Sequence, residues 1–227
     1  MRARGLRAAA LAALTALAPT FAMPALAGTA TGGWAGLTAD AIATYPKVVI
    51  VVGATETTTA SYRTDADQIA AEALKYTPNV VKIYSPNATY ALVKAAAQGA
   101  SIFIDLGHGY GYPSPYRPVL SPSVQDGLGL NATANNGDSN VTYYGESSIA
   151  SDFRFARNAV VILNHLCYSA GSSETGNPEP TIPVARERVD NFASGFLRAG
   201  ARAVMADAVH TDQGRRSELL HRDAHER

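Results

Sequence analysis

The chain has 227 residues, 47% of them apolar, with 19 basic side chains against 19 acidic ones and a formal net charge of zero. That balance argues against an electrostatic nucleic-acid binder. One cysteine, Cys167, excludes a disulfide framework within the chain.

The first stretch, "MRARGLRAAALAALTALAPTFAMPALA", combines Arg2, Arg4 and Arg7 with an apolar run from Ala8 to Ala18 and an A-x-A ending at Ala27. It reads as a secretory signal over 1–27, so the mature protein is expected to be secreted. The run is too short to span a bilayer, and no later one is longer, so no stable membrane insertion is expected. Residues 28–46 form a Gly/Thr/Ala-rich lead-in. The chain beyond the signal suits one domain with a sizeable core.

"KVVIVVGAT", from Lys47, is apolar without alternation and predicts a strand covered on both faces, as in a parallel sheet. A helix is expected next, with Thr64 and Asp67 as a capping box and Ala66, Ile69, Ala70, Ala73 and Leu74 on one face. A strand over 80–85, a helix over 88–98 and a strand over 101–106 repeat the pattern. Residues 110–140, rich in Pro, Gly, Asn, Ser and Tyr, read as one long irregular insert. "AVVILN" (159–164) is the next buried strand. A helix over 184–197 follows, with Val189, Phe192, Ala193, Phe196 and Leu197 on one face and Gly200 as its stop, then a fifth strand over 201–209.

This alternation predicts one α/β domain over 47–209, a three-layer αβα sandwich with a mainly parallel sheet. The tail, 210–227, is dense in charge and histidine. It reads either as disordered or as the aberrant end of a truncated chain.

Open parallel sheets bind ligands at the carboxyl ends of their strands. His108 stands two residues after "SIFIDL", flanked by Gly107 and Gly109, and Cys167 stands three residues after "AVVILN". If those strands are neighbours, thiol and imidazole share one cleft, and the pair suits nucleophilic catalysis. The flanking glycines allow a peptide backbone to pass close and expose an amide as an oxyanion donor. Taken singly, Cys167 also reads as a small buried apolar residue, and His108 as a turn histidine bonded to backbone.

"IFIDLGHG" and "VVILNHLCYSAG" resemble the histidine and cysteine blocks of the caspase-like peptidases, the superfamily of caspases, metacaspases, gingipains and separase. The resemblance implies a cysteine peptidase with His108 as acid/base and Cys167 as nucleophile. The amides of Gly109 and Cys167 would form the oxyanion hole. A thioester intermediate, no cofactor and a peptide or protein substrate are implied as well. "SYRTDADQIAAEAL" is similar to the arginine and helix after the first caspase strand, which would set Arg63 beside an acidic P1 side chain. The Q-A-C-x-G pattern is absent, and Leu166 precedes the cysteine.

Tyr110 and Tyr112, with Tyr116, suit one wall of a substrate cleft, and Asp105 either lines a pocket or pairs with a neighbour. His165 reads as a core histidine, with a zinc site shared with His108, Cys167 and Asp105 as its alternative; no metal is expected, because no ligand-pair spacing supports one. Two other functions stay open. One is a catalytically silent caspase-like domain that binds a partner through the same cleft. The other is a nucleotide-binding module, against which stands the lack of G-x-x-x-x-G-K-[ST] and G-x-G-x-x-G. The oligomeric state is left open.

Overall fold

Five consecutive apolar β-formers have no polar face to offer water, and β1 (Val48–Val52) is accordingly buried at every position. The computed structural model describes residues 34–174 and 176–207. The expected signal at 1–27 and the tail at 210–227 lie outside the described residues, as do 28–33 of the lead-in and 208–209 of the last expected strand.

Four further strands join β1: β2 (Val80–Tyr84), β3 (Ile102–Leu106), β6 (Val160–Asn164) and β7 (Ala203–Ala206). The sheet runs β2-β1-β3-β6-β7 and every pairing in it is parallel. Because the chain steps from β1 outward to β2 and then back past it to β3, the strand order reverses between β1 and β3. The carboxyl ends at such a reversal open a crevice.

Helices cover both faces and complete a three-layer α/β sandwich. On one face Val48, Ile50, Val52, Ile104 and Leu106 pack against Ala66 and Ala70 of α2 (Thr59–Ala73). On the other, Val49, Val51, Phe103, Val161 and Leu163 meet α3 (Tyr90–Ala97), α4 (Glu146–Asp152) and α5 (Ile182–Arg198). Phe103 lies edge-on to Phe153 and Phe155 at 5.8 Å from each, an arrangement worth about 1 kcal/mol per pair beyond the area buried. A short α1 (Ala39–Ala43) precedes the sheet, capped by the Thr38 hydroxyl, which accepts from the Ala41 amide. Among the described residues no helix is long and apolar enough to cross a membrane.

Three expectations need correction. The helix after β1 does not begin at a Thr64/Asp67 capping box. A 3₁₀ turn over Glu56–Thr58 runs directly into α2, and the Thr55 amide donates to the Thr59 hydroxyl at 2.9 Å. Thr64 is mid-helix with its hydroxyl on the Ala60 carbonyl, and Asp67 accepts from Lys82 at 2.9 Å.

The insert is not irregular throughout. It contains β4 (Leu128–Asn131), which pairs antiparallel with β5 (Val141–Tyr144), and α4 follows. Gly129 sits in the middle of β4, where a methyl would crowd the His108 Cβ at 3.0 Å and its carbonyl oxygen at 3.1 Å, and a methyl on the facing Gly53 would lie 2.3 Å from the Gly129 carbonyl oxygen. Such a strand carries the composition of a loop.

Helix α5 is turned relative to the face expected of it. Arg188, Phe192, Gly195 and Phe196 are buried, whereas Val189 and Leu197 are 42% and 46% exposed. The buried stripe follows the i, i+4, i+7, i+8 pattern, with an arginine as one of its members.

Candidate active site

β3 and β6 are neighbours, with Leu106 opposite Asn164 at their carboxyl ends. Each strand then releases its chain into a loop on the same sheet edge, at the β1/β3 reversal and one strand beyond it. The two segments meet backbone to backbone. A methyl at Gly109 would lie 2.0 Å from the Cys167 carbonyl oxygen and 2.7 Å from its amide nitrogen. Only glycine fits there.

His108 is held from its other side by the hairpin. It forms an isolated antiparallel bridge with Gly129, where a methyl would lie 3.0 Å from the His108 Cβ. Beyond Gly109, a methyl on Gly111 would strike the Tyr168 Cβ at 2.4 Å and the Phe192 ring at 2.9 Å. The histidine loop is thus wedged between β4, the residues after Cys167, and α5.

Both reactive groups are half-buried and both are pushed toward neutrality. Burial lowers the His108 pKa, while Glu56 and Glu174 push it back up to a smaller extent. Burial raises the Cys167 thiol, Glu174 raises it further, and its own amide opposes them weakly. Both shifts favour the neutral forms, imidazole and thiol, over imidazolium and thiolate.

The other residues expected at the site divide into those near it and those beneath or away from it. Tyr110 packs on Tyr143 with ring centroids 5.4 Å apart, and charge on Cys167 would be felt at the Tyr143 hydroxyl. Tyr112 anchors its loop through backbone, its amide donating to Asp126 at 2.9 Å and its carbonyl accepting from Asn191 at 3.0 Å. The Tyr116 hydroxyl donates to Glu174.

Asp105 lies beneath the site rather than on its wall. It has no exposure, and neither carboxylate oxygen has a partner among the described residues. Burial pushes its carboxyl up to about 8. A methyl on Gly107 would lie 3.2 Å from its Oδ2, so it sits directly under the residue before His108.

Arg63 lies within α2. Its guanidinium bonds the Asp138 carboxylate at 2.5 Å and the Ser85 carbonyl at 2.9 Å, joining α2 to the end of β2 and the hairpin loop. His165 takes a positive φ of 63° and stacks on Tyr62 at 5.0 Å, half-buried rather than in the core.

Two residues with no sequence signal help shape this edge. Glu174 accepts from Tyr168 at 3.0 Å and from Asn177 at 2.8 Å, fixing a carboxylate beside the thiol. Arg188 reaches the cysteine loop from α5, with its guanidinium 4.6 Å over the Tyr168 ring. A carboxylate in a polar loop and an arginine in a helix both read from sequence as solvated surface groups. No family model, no curated protein and no solved structure matches the chain.

Proposed function

We propose that this protein is a cysteine hydrolase that cleaves peptide bonds, with Cys167 as nucleophile and His108 as acid/base. The observation that carries the proposal is the contact between Gly109 and the Cys167 peptide, which brings the two loops into register at one sheet edge. The resemblance of the two blocks to caspase-like peptidases supports the same chemistry, and the leader sequence supports export.

The steps follow from the residues present. The imidazole takes the thiol proton as Sγ bonds to the scissile carbonyl carbon, and the resulting oxyanion accepts from the Gly109 and Cys167 amides. The imidazolium then protonates the leaving amine as the C–N bond breaks, which leaves a thioester. Water attacks the thioester carbon while His108 takes its proton, and the thiol recovers that proton on release of the carboxylic acid. No cofactor is needed for any of these steps.

A peptide library incubated with the protein tests this directly. Cleavage that disappears in both Cys167→Ala and His108→Ala is expected. Cleavage that persists without the thiol, or a folded protein with no thiol-dependent hydrolysis of any library member, overturns the proposal.

One observation favours a second reading, in which the cleft binds a peptide or protein partner without cleaving it. Burial and Glu174 both raise the thiol, the opposite of the activation that nucleophilic cysteines receive. On that reading Cys167 reacts with alkylating agents no faster than a free cysteine, and His108→Ala changes nothing.

A further inference from the structure

Arg188 is 5% exposed in the middle of α5, yet its partners are neutral. Nε donates to the Pro113 carbonyl at 2.8 Å, and Nη1 donates to the Gly171 carbonyl at 3.2 Å and the Ser173 hydroxyl at 3.1 Å. The guanidinium plane lies over Tyr168, the residue after the cysteine. Among the described residues no carboxylate bonds the guanidinium, and Glu179 acts on it only through its field, so burying the cation against carbonyls and a ring carries a desolvation penalty that a methionine of similar length would avoid.

The partners explain what the cation does. Pro113 belongs to the segment that follows His108, whereas Tyr168, Gly171 and Ser173 belong to the segment that follows Cys167. Both segments rest on the same helix. Asn191, one turn along, donates to Tyr112 at 3.0 Å, and a methyl on Gly171 would lie 2.8 Å from the Ala185 carbonyl oxygen. The rigid guanidinium fork spans the gap between the two segments, which a single ammonium cannot do with the same geometry.

We propose that Arg188 is a positioning residue: it locks the histidine segment to the cysteine segment and so holds the His108 imidazole against the Cys167 thiol. The proposal rests on the hydrolase reading above, since it needs His108 and Cys167 to work as a pair. It places the control of that pair on a helix face remote from the substrate, where no contact with the reacting atoms is made.

A double-mutant cycle read by iodoacetamide alkylation of Cys167 tests it without any substrate. Four proteins are compared across pH: wild type, Arg188→Met, His108→Ala and the double variant. If Arg188 acts by placing His108, Arg188→Met slows alkylation about tenfold when His108 is present and has no further effect when it is absent. A merely structural role gives the same factor in both backgrounds and overturns the proposal, as does an unchanged rate in a folded Arg188→Met protein.

Should Arg188→Met fail to fold, Arg188→Lys serves in its place. It keeps the charge but reaches one segment at a time, so its rate should fall between wild type and His108→Ala, and a wild-type rate overturns the proposal. If His108→Ala alone leaves the rate unchanged, the dyad itself is wrong. If His108→Ala slows the reaction and the Arg188 variants do not, only the role of Arg188 falls.

Discussion

Gly109 and Cys167 touch through their main chains, with the Cα hydrogen of the glycine aimed at the cysteine's peptide group, so that a methyl would arrive 2.0 Å from its carbonyl oxygen. On the hydrolase reading this contact governs the chemistry, because it helps set how far the imidazole one residue earlier stands from the thiol.

Gly109→Ala is therefore expected to be damaging out of proportion to its size. The obstacle is backbone, which cannot rotate away, so one of the two loops must shift. A loss of roughly 2–4 kcal/mol in denaturant unfolding is expected, together with loss of any His108 dependence of Cys167 alkylation. An alanine variant with wild-type stability and thiol reactivity would show that the two loops separate freely.

Glu174→Gln should act in the opposite sense on the thiol. The Glu174 charge raises the Cys167 pKa, so removing it lowers the pKa and increases the thiolate fraction at any pH below it. Alkylation at pH 8 should become faster by a few-fold. Slower alkylation would mean that the bonds from Tyr168 and Asn177 to this carboxylate matter more to the loop than its charge does to the sulfur.

For the wild type, the raised thiol predicts that the alkylation rate keeps climbing beyond pH 8.5 or so, where an ordinary cysteine begins to level off. The His108 imidazole is lowered by burial, so its own titration should appear below pH 6.5 or so. A plateau in the rate near neutral pH would instead reveal a preformed ion pair.

Asp105 gives a stability prediction. Its carboxyl is raised to about 8 in the folded chain, against roughly 3.9 when unfolded, so between these values the folded state holds a proton that the unfolded state has lost. The stabilisation relative to the charged form is full below pH ~4 and disappears as pH rises through about 8. Asp105→Asn should remove this dependence, flattening the fall in unfolding free energy across that window by several kcal/mol at most. Equal slopes for the two proteins would show that Asp105 is ionised throughout.

Much of the sandwich was legible because its strands are unambiguous. Val48–Val52 and Val160–Asn164 are runs that water would not tolerate, and the alternation with helices implies parallel pairing. The placement of His108 and Cys167 at strand ends was legible too, but their proximity depended on β3 and β6 being neighbours, which no local pattern specifies. The hairpin was hidden by the glycine that makes it possible, since Gly129 lets β4 lie against His108 and also gives the segment a loop's composition. Arg188 was hidden for the converse reason. An arginine within an amphipathic helix looks like part of the wet face, and only the turn of α5 toward the two loops shows otherwise.

The seat of Arg188 also bears on how the molecule opens. Loops at a binding edge ordinarily exchange their amide hydrogens through local fluctuations that leave the scaffold intact. Here the segments around Pro113 and Gly171 are bonded to a side chain that is itself part of the buried stripe of α5. Their amides should therefore exchange with the slow, cooperative unit to which α5 belongs, making this edge a region that melts with the body of the protein instead of ahead of it.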